Sequence, residues 1–274
     1  MLSLKLGLSL ASSNGVGGSD AFLLDVYTGA AVAYSLRKLK STTTNVIRVR
    51  RSSDNAELDF TASEITDGTL TTWTGANDGF VTTWYDQSGN AKNMTSSTAT
   101  RQPKIVSVGS VLLENGKPIL TSDGSTTGMT SSYIADSGVS AKGLFIVTKR
   151  SSSPKSTIMG SYSNGNNSVL FLNSASTSTT TSLNVALASQ RLNGATWSYS
   201  TRTDTYNDLI SQSVISLNAV FSFGSDAGDA LSLGYRYTSP LDNDMTDMQE
   251  LIIFENQTDQ EGKETAINSF YSAY

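Results

Sequence analysis

Carboxylates are the main acid–base resource of this chain, because its 274 residues include no histidine and no cysteine. Without imidazole there is no Ser-His-Asp relay, no histidine general base and no ordinary zinc site. Without thiols there is no disulfide, no thiolate ligand and no cysteine nucleophile. An enzyme built from this chain must work with carboxylates, Tyr, Lys or Ser. The densest acidic group is Asp242, Asp244 and Asp247. Oxygen ligands at this spacing could hold Ca²⁺, a hard cation. The full Ca²⁺-loop pattern of glycine and distal glutamate is missing, and an exposed acidic turn is the favoured reading. Asp226 and Asp229 raise the same idea more weakly.

Two other groups could bind ligands. Arg48 and Arg50 fall on one face of a strand opposite Val49, with Arg51 beside them. They could hold an anion or an acidic sugar; the favoured alternative is pairing with Asp54, Glu57 or Asp86. Trp73, Trp84, Trp197, Tyr199, Tyr235 and Tyr237 offer faces on which sugar rings stack. Alternation makes Trp84 a core residue. Trp197, Tyr199, Tyr235 and Tyr237 are the candidate ligand-binding residues, although each could equally belong to the core.

The elements that must carry these residues are mostly strands. Short apolar or alternating runs recur between Gly, Asn, Asp and Ser turn signals, the pattern of an all-β antiparallel sandwich or barrel. Val46 to Arg50 and Leu58 to Phe60 flank the turn at Ser53-Asp54-Asn55 and predict a hairpin. Ala30 to Leu39 predicts a helix with Val32, Leu36 and Leu39 on one face. At the other end, Gln249 to Phe254 predicts a buried strand. Thr258-Asp259-Gln260-Glu261 then fits a capping box, opening a short helix with Ala266, Ile267, Phe270 and Tyr271 on one side. Residues 1–19 predict a separate arm and linker, with Leu2, Leu4, Leu6, Leu8 and Leu10 on one strand face before a Gly/Ser/Asn stretch. Residues 20–274 form the sandwich.

Charged residues make up 16 per cent of the chain and the net charge is -5. That balance argues against a nucleic-acid partner, which needs a basic footprint. No apolar stretch approaches a membrane span, and the period-two leucines do not form a secretion signal.

Two runs carry a family resemblance: Asn45-Val46-Ile47-Arg48-Val49-Arg50-Arg51-Ser52-Ser53-Asp54, then Phe80-Val81-Thr82-Thr83-Trp84-Tyr85-Asp86-Gln87-Ser88-Gly89. In this order they resemble the catalytic domain of B-type α-L-arabinofuranosidases and its relatives in phage virion proteins. The resemblance is best between Ala30 and Asn93. It implies a concanavalin-A-like jelly roll with a short C-terminal helix. It also implies a nucleophilic glutamate in a strand whose counterpart here, Leu183 to Gly194, has no carboxylate. The family's acid follows a Gly-Gly pair; Tyr235 stands at that place. Asp86 reads as a turn former capping its own backbone amides.

With both catalytic positions replaced, the expected function is a non-catalytic virion protein of a phage particle. It would be a fibre, spike or decoration that contacts host-surface glycans or neighbouring virion proteins. The arm would dock by strand addition, the chain would be a homo-oligomer, and export would be by lysis or within the particle. No catalytic residue and no cofactor is expected, apart from Ca²⁺ as an option at Asp242, Asp244 and Asp247. The alternatives are a glycosidase with relocated carboxylates and a purely structural capsid or tail component.

Overall fold

The computed structural model describes residues 21–124, 126–134, 142–162, 170–174, 187–198, 201–219, 230–234, 244–256 and 258–274. The expected arm, and Tyr199, Tyr235, Tyr237, Asp226, Asp229 and Asp242, lie outside them. The first half contributes strands β1 (Ala30–Ser35), β2 (Asn45–Arg51), β3 (Glu57–Thr61), β4 (Gly79–Trp84), β5 (Met94–Thr95), β6 (Lys104–Ser107), β7 (Ser110–Val111), β8 (Leu113–Glu114), β9 (Lys117–Pro118) and β10 (Met129–Ser131). The second half adds β11 (Lys142–Lys149), β12 (Lys155–Tyr162), β13 (Leu170–Ser174), β14 (Leu187–Leu192), β15 (Ala195–Thr196), β16 (Ser213–Ala219), β17 (Ala230–Leu233), β18 (Asp244–Met245) and β19 (Asp247–Phe254). The helices are short: α1 (Leu23–Val26), α2 (Ala62–Thr66), α3 (Thr69–Thr74), α4 (Arg202–Asp208) and α5 (Gln260–Tyr271). Among the described residues, no helix is long and apolar enough to cross a membrane.

The architecture is an antiparallel β-sandwich. One sheet runs β1-β19-β11-β16-β14-β15; the other runs β13-β12-β17-β10-β5-β4-β2-β3, with β6, β7 and β18 attached. Alternation sorts the first sheet's side chains between two cores. Val32, Tyr34, Leu144, Ile146, Ile215, Leu217, Leu251 and Ile253 face the second sheet's Val49, Val81, Trp84, Met129, Ile158 and Leu233. Their neighbours Ala33, Phe145, Val147, Val214, Ile252 and Phe254 point the other way, onto Ile267 and Tyr271 of α5 and onto Leu23 and Leu24 of α1. Strands buried on both faces read as continuous apolar runs, which is why Gly143 to Val147 and Leu251 to Phe254 show no period of two.

The predicted hairpin is present, with Arg50 opposite Glu57 and Arg48 opposite Asp59. Helix α5 is present too, but its cap differs. The Asp259 carboxylate accepts from the Gly262 amide at 3.1 Å; no Thr258–Glu261 box forms. A Cβ on Gly262 would come within 2.2 Å of that carboxylate, so the glycine makes room for the cap.

The predicted helix at Ala30 to Leu39 is corrected: the segment is β1 followed by a turn. Its backbone partners come from far along the chain. The Ala33 amide donates to Asp86 at 2.9 Å, and the Gln87 amide donates to the Ala33 carbonyl at 2.8 Å. The Gln87 side chain then holds the exit of the strand. Its Oε1 accepts from the Leu39 amide at 2.7 Å, and its Nε2 donates to the carbonyls of Ser35 and Arg37 at 3.0 Å each. These bonds occupy the groups that a helix would have paired internally. Asp86 also accepts from the Ser88 amide at 2.9 Å, the local turn role read from the sequence. The Tyr85-to-Gly89 run thus fastens the edge of one sheet to the other.

Candidate active site

The chain changes sheets within four residues. Asp244 and Met245 pair in parallel with Ser156 and Thr157 of β12 in the second sheet. From Asp247 onward the chain is β19 of the first sheet. Thr246, buried, is the crossing point. Two carboxylates are therefore held where the sheets meet. The 120s loop clasps them: Leu120 and Met248 exchange backbone hydrogen bonds at 2.9 Å, and the Met245 amide donates to the Thr127 carbonyl at 3.1 Å.

Ser122 touches both acids. Its hydroxyl donates to Oδ2 of Asp244 and its amide donates to Oδ1 of Asp247 at 3.1 Å. The other oxygen of Asp244 accepts from the Thr127 amide at 3.0 Å. Asp123, exposed, sits one residue along and accepts from Thr127 Oγ1 at 2.8 Å. Beside Asp247 the Lys149 ammonium pairs with Glu114 at 2.8 Å, and Thr148 Oγ1 donates to the Asp247 carbonyl at 2.7 Å. Gly234 closes the back of the site. Its φ is +73°, and a Cβ there would fall 2.1 Å from the Thr127 carbonyl oxygen.

Asp244 is 1 % exposed. Burial pushes its carboxyl up to about 6, with the charge of Asp123 adding to the rise while the Ser122 and Thr127 bonds oppose it. Asp247 is pushed up to about 7, again mainly by burial. Asp244 and Glu114 raise it further, while the Ser122 amide and Lys149 pull it down. A carboxyl that keeps its proton near neutrality can donate it, and displaced carboxyl groups in one cluster are the raw material of general acid catalysis. Among the described residues no group of three acidic side chains could hold a metal ion.

The other expected site residues sit elsewhere. Trp197 is 5 % exposed, packs in the main core and donates its indole N–H to Asp208 at 2.7 Å. Trp84 is core, as expected. Trp73 is half-buried against Phe60, with the Arg51 guanidinium 4.8 Å from its ring centre. The arginines are engaged in pairing: Arg48 with Asp59 at 2.6 Å, Arg51 with Asp54 at 2.7 Å, and Arg50 with Gln102 at 2.7 Å. Asp59 in turn accepts from Tyr85 at 2.7 Å. Ser122, Asp123, Lys149 and Glu114 come to the site from distant positions that the sequence does not mark. No local spacing connects them to Asp247, and the one signal was the acidic run that contains Asp244 and Asp247.

Fold and site together define an antiparallel sandwich with a carboxylate cluster at a sheet crossing. Among solved structures the chain is similar to an arabinofuranosidase complexed with arabinofuranosyl-α-1,2-xylobiose, at 14% identity and a TM-score of 0.50, covering 92% of this chain and 64% of the enzyme. It is also similar to a GH54 α-L-arabinofuranosidase soaked with a cyclic sulfate inhibitor, at 16% identity and a TM-score of 0.47, with the same coverage. The chain thus spans 64% of the length of these enzymes. No protein-family model and no curated protein sequence matches it. At these identities the likeness carries the fold. The expectation of a non-catalytic virion fibre, spike or decoration is corrected: the solved structure whose fold this chain shares at a TM-score of 0.50 is an arabinofuranosidase.

Proposed function

We propose that the chain is a carboxylate-dependent glycoside hydrolase acting on arabinofuranosyl-bearing glycans. Its acid groups have moved from the strand positions of the enzymes it resembles to the sheet crossing. The observation that carries this reading is the Asp244–Asp247 crossing itself, where both carboxyls contact Ser122 and are pushed up to about 6 and about 7. Asp247, the less buried of the two, donates the proton to the departing glycosidic oxygen. Asp123, exposed next to the clasp, is the second carboxylate that such hydrolysis requires; it takes a proton from the water that attacks the sugar carbon. Asp244 has both oxygens occupied by Ser122 and Thr127 and acts as a positioning residue.

The test is hydrolysis of an aryl α-L-arabinofuranoside. Loss of a positioned acid costs about 10²–10⁴-fold, so Asp247→Asn should lower kcat by that order, and Asp123→Asn should do so separately. Activity should also fall as pH rises through about 7, where Asp247 loses its proton. Absence of turnover by the wild type, or turnover that survives both substitutions, would sink the reading.

A further inference from the structure

On the other side of the β8–β9 hairpin lies a cavity of about 800 Å³ between the turn after β1, helix α2 and the end of α5. The hairpin serves both regions, sending Glu114 to Lys149 near Asp247 and Lys117 into this cavity. Among the described residues three cations line it, Arg37, Lys38 and Lys117, and no lining residue is acidic. Arg37 is committed to Glu250 by two bonds, at 2.8 and 3.0 Å. Lys38 and Lys117 form no ion pair among the described residues. Each lies against an aromatic face instead: Lys38 Nζ is 5.1 Å from the Phe22 ring centre, and Lys117 Nζ is 4.2 Å from that of Phe270. Tyr271 completes the wall, and its buried hydroxyl reaches Glu250 at 3.1 Å.

This combination has a chemical meaning. Ammonium groups held over rings are pre-positioned but not neutralised, because a cation–π contact leaves the charge in place. An arriving carboxylate would gain charge-assisted bonds from these ammonium groups. The volume falls in the range of about 300–1,000 Å³ usual for ligand pockets. We infer that this cavity is a binding site for an acidic saccharide, a uronic acid residue of a glycan chain, with Lys38 and Lys117 holding the carboxylate and the apolar part of the lining facing the sugar ring. The charge selectivity stands on the lining alone; the choice of a saccharide rests on the hydrolase reading above.

Titration calorimetry of the full chain with an oligogalacturonide and with a neutral arabino-oligosaccharide tests it. The acidic oligomer should bind and weaken as salt is raised, and the neutral one should not compete for it. Lys38→Ala with Lys117→Ala should weaken the acidic oligomer at least tenfold, while Lys117→Arg, which keeps the charge, should hold it within a few-fold. Asp247→Asn should bind it as the wild type does. No binding, equal binding of the neutral oligomer, or undiminished binding by a folded double variant would overturn the site. Benzoate or inorganic phosphate binding as tightly as the uronide would overturn its saccharide character. Uronide binding by a protein that hydrolyses nothing would count only against the hydrolase reading, and hydrolysis without uronide binding only against this one.

Discussion

Replacing Gln87 should destabilise the protein far more than one polar side chain in a loop would suggest. The residue is 3 % exposed and serves three backbone groups of one segment: the Leu39 amide and the carbonyls of Ser35 and Arg37. Gln87→Leu keeps the approximate volume and removes all three partners. A buried polar group left unpaired costs about 1–3 kcal/mol. The Arg37 carbonyl is only partly buried and can find water, so two full penalties and one partial one give about 2–7 kcal/mol. That is a large part of the roughly 5–15 kcal/mol by which a domain is usually stable. Equilibrium urea unfolding, followed by tryptophan fluorescence, measures it. Gln87→Glu is the informative companion. It keeps an acceptor for Leu39 but turns the two donor contacts into charge against carbonyl oxygens, so it should be destabilised at neutral pH and recover partly in acid. A loss below about 1 kcal/mol for Gln87→Leu would refute the idea that this amide replaces helical pairing.

Further outcomes follow from the same geometry. The folded-state carboxyls of Asp244 and Asp247 are raised above the ordinary 3.8. The folded protein therefore holds protons that the unfolded chain has released, and stability should fall as pH rises from about 4 to about 7. Asp247→Asn should remove part of that slope, stabilising at pH 8 by on the order of a few kcal/mol and little at pH 4, as read by Tm against pH. Gly234→Ala places a methyl 2.1 Å from the Thr127 carbonyl oxygen at a φ of +73°, and should cost more than about 1 kcal/mol while disturbing the clasp on Asp244. Asp259→Ala removes the cap of α5 and should cost about 0.5–2 kcal/mol in the same unfolding assay.

The sandwich was legible because turn chemistry and short apolar runs are local. Val46 to Arg50, the turn at Asp54 and Leu58 to Phe60 specify a hairpin without reference to anything distant. The C-terminal strand and helix are of the same kind. The Ala30 to Leu39 segment was misread for the opposite reason. Val32, Leu36 and Leu39 fit a helical face, and the groups that hold the segment extended are Asp86 and Gln87, about fifty residues further on. Burial on both faces of β1 also removed the alternation that marks a strand. Helices α2 and α4 carry local signals of their own: Thr61 with Glu64, and Thr201 with Asp204, form capping boxes that start them.

The candidate site was half legible. Asp244 and Asp247 stood out as an acidic run, which invites a metal or a solvated turn. What changes their chemistry is burial, and burial is a property of the crossing between sheets, not of the run. One of the pair is shut away by Ser122 and Thr127 while the other keeps partial access, so two like residues three positions apart sit in different surroundings. Leu183 to Gly194, the strand on which the resemblance puts a carboxylate, has none. A sandwich, however, brings together the ends of strands and the loops that join them. Here backbone pairing brings the 120s loop and the start of β19 to one edge, and no run of neighbouring residues announces it.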